Sequence, residues 1–244
     1  MILSHKVHVL SRKEELDTVR LPGKVAIVLD ILFATSTITA ALAHGARAVI
    51  PALDEAAARA KSARHAQESV VLAGELYAET LPGFAPPMPQ ALLAHGIADK
   101  HVIYSTTNGT VALMSMDRAE HVYAASLLNG QAVIERVLST HPDSTILIVC
   151  AGTMGNFNFE DFYGAGYLVE LIAQRLGEQA DYSDAARAAR ALFGAREPLP
   201  SLLDCRVGRM MVERGFKHEV EYAAQLSVLP VVPKLDGDRI VALR

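Results

Sequence analysis

The chain predicts a three-layer α/β/α fold around a mixed, largely buried sheet, and three observations carry that expectation. Val25–Asp30, His101–Ser105 and Ile146–Cys150 contain near-continuous apolar runs, which suit strands covered on both faces. Each run opens into a loop rich in hydroxyls or glycine and then into a helical pattern, so helices supply the crossovers between strands. Hydrophobic residues make up 51% of the 244 residues and charged residues 20%, a balance that fills a core and excludes a disordered chain. The three units share a plan but not a residue-by-residue sequence, so they are not an internal repeat.

The elements follow in order. Val25–Asp30 leads through Ala34–Thr37 into a helix that Gly45 closes. Asp54 is a good N-cap for the Ala-rich helix through Arg64, and Val70–Ala73 reads as a strand. The Pro-bearing stretch Leu81–Pro89 is long enough to be a functional loop. Val122–Ser126 is a strand feeding a helix from Asn129 to about Ser139, and a further helix runs from Phe162 to Gly177. From about residue 178 the chain becomes mainly helical, with helices over 183–193, 201–214 and 217–225. Val231–Leu243 is a terminal β-hairpin turning at Asp236–Gly237. Arg196–Ser201 is a seam rather than a linker, so residues 1–244 read as one domain.

Composition excludes several classes. No apolar run reaches the roughly 18 residues of a membrane span, and the first residues lack the pattern of a signal peptide. Two cysteines without a CxxC support neither a disulfide scaffold nor a zinc ribbon, so a reducing cytoplasm is expected. A net charge of −4 with scattered Lys and Arg opposes nucleic-acid binding. A homo-oligomer stays open.

In open α/β sheets ligands gather beyond the C-terminal ends of strands, where helix N-termini expose N–H groups. The polar loops there offer Thr35, Ser36, Thr37, Thr106, Thr107, Asn108 and Thr110, with backbone donors at Gly109, Gly152 and Gly155. That set suits an oxyanion such as phosphate, although the same residue types cap helices everywhere. Asp30 ends a buried strand, where an unpaired charge costs several kcal/mol, so it needs a cation or donors. Glu75 stands at another strand exit, and Glu160 and Asp161 lie in the first turn of a helix. Asp30 with Glu75 or one of the 160–161 pair would suit magnesium, which takes one or two carboxylates together with waters and phosphate oxygens. Helix-dipole stabilisation is the competing account of Glu160 and Asp161.

Familiar phosphatase signatures are missing. Leu32 stands where a second Asp would follow an Asp nucleophile, and Asn156 where an Arg would follow a cysteine nucleophile. There is no GxxxxGK[ST] and no HExxH. Cys150 reads as a small buried hydrophobe, and His5 and His8 as surface or edge residues of a strand.

Asp30–Ile38, Thr106–Thr110, Cys150–Gly155 with Glu160–Asp161 and Ala165–Gly166, in this order and spacing, resemble the 2-phosphosulfolactate phosphatase (ComB-like) family. The likeness continues through Ser126–Asn129, Gly215–Phe216, Tyr222–Gln225 and Val231–Pro233, and so covers nearly the whole chain. The resemblance implies a magnesium-dependent hydrolase of a small anionic phosphoester. It also implies that Asp30, Glu75 and Glu160–Asp161 surround the metal, and that the 35–37 and 106–110 loops hold the anion. Two departures stand out. Phe33 replaces an Arg of the family pattern, a loss on the order of 2–4 kcal/mol where that guanidinium grips substrate. Ala85–Pro89 replaces a polar Asp-, Asn- and Ser-bearing segment. A catalytically silent anion-binding homologue, or a phosphatase for another substrate, is the alternative these departures favour.

Overall fold

The structure, a computed structural model, describes residues 5–243. The first half of the chain contains β1 (His5–Leu10), β2 (Lys24–Leu29), α1 (Ala34–Ala43), β3 (Ala48–Ala52), α2 (Glu55–Ser62), β4 (Val70–Leu76), β5 (Glu79–Thr80), α3 (Pro89–Leu93), β6 (His101–Ser105), α4 (Gly109–Met114) and β7 (His121–Ala125). The second contains α5 (Gly130–Thr140), β8 (Thr145–Cys150), α6 (Phe159–Leu176), β9 (Ala180–Tyr182), α7 (Asp184–Ala195), α8 (Pro198–Asp204), α9 (Arg206–Glu213), α10 (Lys217–Ala223), β10 (Val232–Asp236) and β11 (Arg239–Leu243).

The strands form one mixed sheet in the order β5-β4-β6-β3-β11-β10-β7-β2-β8-β1-β9. The parallel blocks β4-β6-β3 and β7-β2-β8-β1-β9 are joined by the C-terminal hairpin, which is antiparallel to both. The last residues of the chain therefore sit at the centre of the sheet. Followed through these pairings, the two blocks run in opposite senses. In a flat sheet the C-terminal ends of β2 and β4 would lie at opposite edges, yet Asp30 and Glu75 line one cleft. The sheet is therefore not flat between β2 and β4, a span that includes the hairpin, which meets β7 at Lys234–Tyr123 and β3 at Ile240–Val49.

Alternation along the strands divides the core as a sheet buried on both faces requires. Ala26 and Val28 of β2 share a cluster with Val49 of β3, Val102 and Tyr104 of β6 and the inner faces of α1 and α4. Val25, Ile27 and Leu29 face the other way, against α5, α6 and the C-terminal helices. The three-layer expectation therefore holds for this mixed sheet.

Local expectations need four corrections. Glu75 lies within β4, which pairs with a short return strand, β5. The loop expected over Leu81–Pro89 ends one residue early, at Met88, because Pro89 starts α3. His5 is buried and accepts or donates at Nδ1 to the Ser144 carbonyl, because β1 is an inner strand flanked by β8 and β9. The single helix expected over 201–214 is two, broken at Cys205, whose backbone is extended (φ −70°, ψ 161°). The Cys205 Sγ accepts from the Gly208 N–H and so caps α9. Only glycine fits at 208, since a Cβ there would come within 1.7 Å of the Leu202 carbonyl oxygen.

Candidate active site

A cleft of about 200 Å³ opens where β2, β4, β6 and β8 end, and α9 closes its far side. Asp30, Glu75, Glu160, Thr107, Asn108 and Gly152 line it, so the ends of four separate chain segments meet there. Asp30 stays partly open to solvent, whereas Glu75 and Glu160 are buried.

The turn after β2 is built by its own hydroxyls. Thr35 Oγ1 accepts from the Asp30 N–H at 2.9 Å and donates to the Asp30 carbonyl at 3.0 Å. Ser36 Oγ donates to the Ile31 carbonyl at 2.6 Å, and Thr37 Oγ1 to the Pro87 carbonyl at 2.7 Å. All three side chains are buried and committed to backbone, and none lines the cleft. They shape the site without facing it, as small hydroxyl residues do at helix entries. Thr106 and Thr110 behave alike: each accepts the other's backbone N–H at 3.0 Å. From that loop Thr107 and Asn108 reach the cleft. Gly109 lies against Asp30, with room for no Cβ: one would stand 2.3 Å from Asp30 Oδ2.

Glu75 fastens the opposite wall. Its carboxylate accepts from the Thr107 N–H at 2.5 Å, the Thr107 hydroxyl at 3.0 Å and the Ala78 N–H at 2.6 Å. This holds Tyr77 and Ala78, both at positive φ (54° and 64°), as the tip of the β4–β5 hairpin over the cleft. Two non-glycine residues in that region store strain, which the Glu75 bond and the Arg214–Ala78 carbonyl bond of 2.8 Å offset.

Asp161 does not line the cleft. Its oxygens accept from the Ile31 N–H (2.9 Å) and the Gly152 N–H (3.1 Å), so it pins the loops after β2 and β8 to the start of α6. Glu160, one residue earlier, points into the cleft beside the Cys205 thiol and near Arg206. Gly155, offered as a backbone donor, is not among the lining residues; its carbonyl accepts from Arg12.

The acids perturb one another. Burial, then the charges of Glu75 and Glu160, push the Asp30 carboxyl up to about 7, against the Ala34 N–H and the Lys13 ammonium. Burial also raises Glu160, with the Cys205 thiol and Arg206 opposing. Asp161 is raised well above the carboxylate range by burial first and then by Asp30 and Glu160. The thiols of Cys150 and Cys205 are both raised, chiefly by burial, so neither is an activated nucleophile.

Two cations of the site are illegible in the sequence patterns. Lys13 Nζ donates to Asn108 Oδ1 (3.2 Å) and the Ala151 carbonyl (3.1 Å), tying two cleft loops together. It follows β1, and only the pairing of β1 with β8 brings it there. Arg206 lines the cleft from the first turn of α9, where a continuous helix was expected. Among the described residues Arg206 has no ion pair, whereas Lys13 is paired with Glu14 at 2.9 Å.

A cleft of converging carboxylates, amide-rich loops and one unpaired guanidinium suits the handling of an oxyanion. The comparisons agree. The family model described as 2-phosphosulpholactate phosphatase matches residues 10–238. A Deinococcus radiodurans protein named probable 2-phosphosulfolactate phosphatase is 35% identical over 222 residues, covering 89% of this chain and 90% of its own. Proteins of the same name from Carboxydothermus hydrogenoformans and Clostridium perfringens are 34% identical over 232 residues (94% and 92% covered) and 33% over 231 (93% and 92% covered). Matched from β1 to the central hairpin, and with the cleft assembled from the matched segments, the chain belongs to the 2-phosphosulpholactate phosphatase family of phosphoric monoester hydrolases.

Proposed function

We propose that the cleft hydrolyses a small anionic phosphoester with magnesium held directly by one or two of the carboxylates Asp30, Glu75 and Glu160 and through water by the rest. The observation that carries the reading is that these three carboxylates, from three distant segments, face one cleft, where burial and then the charges of Glu75 and Glu160 push the Asp30 carboxyl up to about 7. A divalent cation relieves that repulsion. Among the described residues no group of three His, Cys, Asp or Glu side chains stands close enough to ligate one ion directly. One or two of these acids, with water and substrate oxygens completing the shell, is the usual arrangement for magnesium, and the donors fit it. When bound, the ion supplies neutralisation of phosphoryl charge and a more acidic water.

The chain's own groups do the rest. Asn108 orients the phosphoryl group through its side-chain amide N–H, since the Gly152 and Thr107 donors are held by Asp161 and Glu75, and Arg206 takes a second anionic group of the substrate. Glu160, raised by burial, is suited to take a proton from the attacking water. Water's oxygen bonds to phosphorus as the ester P–O bond breaks. The water proton passes through Glu160 to the departing oxygen, and alcohol and inorganic phosphate leave. Asp161, expected as a catalytic candidate, is instead a positioning residue in this reading, because both its oxygens hold backbone N–H groups. Two buried free cysteines support a reducing, cytoplasmic setting.

The test is phosphate release from 2-phosphosulfolactate with and without magnesium, for the wild type and Asp30→Asn. Several kcal/mol of charge stabilisation rest on that carboxylate, so a drop on the order of a thousandfold is expected. Equal rates with a normal circular-dichroism spectrum would remove Asp30 from the mechanism.

A further inference from the structure

Next to the reaction cleft lies a second cavity of about 370 Å³. Phe33, Ala78 and Met210 line both, so the two spaces are neighbours with those side chains between them. Beyond them the annex is walled by Pro87, Met88, Met211 and Phe216. Its charged groups, Glu79 and Arg214, pair with each other at 3.0 Å, and Arg214 also holds the Ala78 carbonyl. The annex therefore combines hydrocarbon side chains with polar groups at Glu79, Thr80 and Arg214, and among the described residues that line it no cation is left unpaired.

The charge layout sets what can enter. A phosphate ester that also carries a carboxylate and a sulfonate brings three strong anionic groups. The cleft offers three carboxylates of its own and, among the described residues that line it, Arg206 as the unpaired cation. A bound divalent ion and Arg206 can accommodate a phosphate and one further acid. A third acid that points at Phe33 and Met210 meets no cation, and its desolvation there is uncompensated. An alkyl group in that direction would instead lose apolar surface to water-free contact. The annex has room equivalent to on the order of ten water molecules at about 30 Å³ each, so a chain of several carbons fits.

We propose that the annex is the subsite for a hydrocarbon arm of the substrate, so that this chain acts preferentially on phosphate esters of 2-hydroxy acids bearing an alkyl chain. Phe33 and Met210 are its specificity-determining residues, because their side chains line both the reacting end and the annex. This rests on the phosphatase reading of the cleft and narrows its substrate class.

The experiment measures kcat/KM for phosphate release from the phosphate esters of lactate, 2-hydroxybutyrate and 2-hydroxyhexanoate, beside 2-phosphosulfolactate, all with magnesium. Each buried methylene is expected to raise kcat/KM about fourfold, which corresponds to about 0.8 kcal/mol. The ratio of the hexanoate to the lactate ester should collapse in Phe216→Ser. If that variant does not fold, the exposed Thr80→Asp, which places a charge on the rim of the annex, gives the same readout. A wild-type enzyme that releases phosphate from the short esters and from 2-phosphosulfolactate, but whose rates are flat or falling with chain length, overturns the subsite and leaves the phosphatase reading standing. A ratio that survives both variants overturns it as well. No phosphate from any ester removes the phosphatase reading, and the subsite with it.

Discussion

Gly109→Ala is the smallest change that should disable the site. Gly109 opens α4, and its backbone is not in the left-handed region, so only space is at stake. An added Cβ would stand 2.3 Å from both Asp30 Oδ2 and Ala34 Cβ. Real Cβ contacts essentially never fall below 3.0 Å, so the two loops must separate by 0.7 Å or more. Ala34 is fully buried in the cluster under β2 and cannot retreat, which directs the movement onto the Asp30 carboxylate. Overpacking of this kind costs about 1–3 kcal/mol, or roughly 2–4 °C of thermal midpoint per kcal/mol in a chain of this size. Misplacement of a reacting group by about 1 Å costs on the order of 100-fold in rate. The assay pairs magnesium-dependent phosphate release with thermal unfolding. A lower midpoint with wild-type kcat/KM would refute the idea that this glycine sets the position of Asp30.

Further expectations follow from the same geometry. Gly194→Ala, in α7 with nothing within 4 Å of the new Cβ, should stabilise by about 0.4–1 kcal/mol in denaturant titration; a destabilisation would contradict the open space seen there. Asp161→Ala leaves the N–H groups of Ile31 and Gly152 without their acceptor, at about 1–3 kcal/mol each, and a midpoint equal to wild type would count against its positioning role. Glu75→Ala should speed amide hydrogen exchange at Ala78 and Thr107, whose N–H groups it holds, and unchanged exchange would show the hairpin tip is fastened otherwise. His141 stacks on His121 at 4.0 Å and shares a hydrogen bond of 2.9 Å with Tyr123, and burial lowers both imidazoles from 6.5. Below 6.5 the unfolded chain takes protons that the folded one resists, so this contribution to stability is full above 6.5 and is lost as the pH falls through the lowered values. The difference in thermal midpoint between wild type and His141→Gln should therefore shrink from pH 8 to pH 5, and a constant difference would refute the assignment.

Much of the fold was legible because its signals are local. The runs at Val25, His101 and Ile146 are strands β2, β6 and β8, and Asp54 caps α2 through the Ala57 N–H at 2.7 Å. The C-terminal hairpin was legible as a hairpin, but not as the centre of the sheet. The break at Cys205 was hidden because Leu202, Leu203 and Arg206 around it are helix formers, and the close approach to Leu202 that Gly208 permits shows only in the fold. Hydroxyl residues at strand ends looked alike in sequence. Their roles parted in the structure: Thr107 faces the cleft, while Thr35, Ser36, Thr37, Thr106 and Thr110 satisfy backbone. The two departures from the family pattern, Phe33 and the segment holding Pro87 and Met88, lie far apart in the chain yet line the same annex.

The sequence alone determined the strand–loop–helix units, the acids placed at strand ends and the family, because periodicity, capping and motif spacing are properties of neighbouring residues. The tertiary structure decided which of those ends meet. Lys13 reaches the cleft through the pairing of β1 with β8, Arg206 through the bend at Cys205, and Glu75 through the curvature of the sheet between β2 and β4. Each depends on contacts between residues far apart in the chain, and short-range patterns carry no record of those.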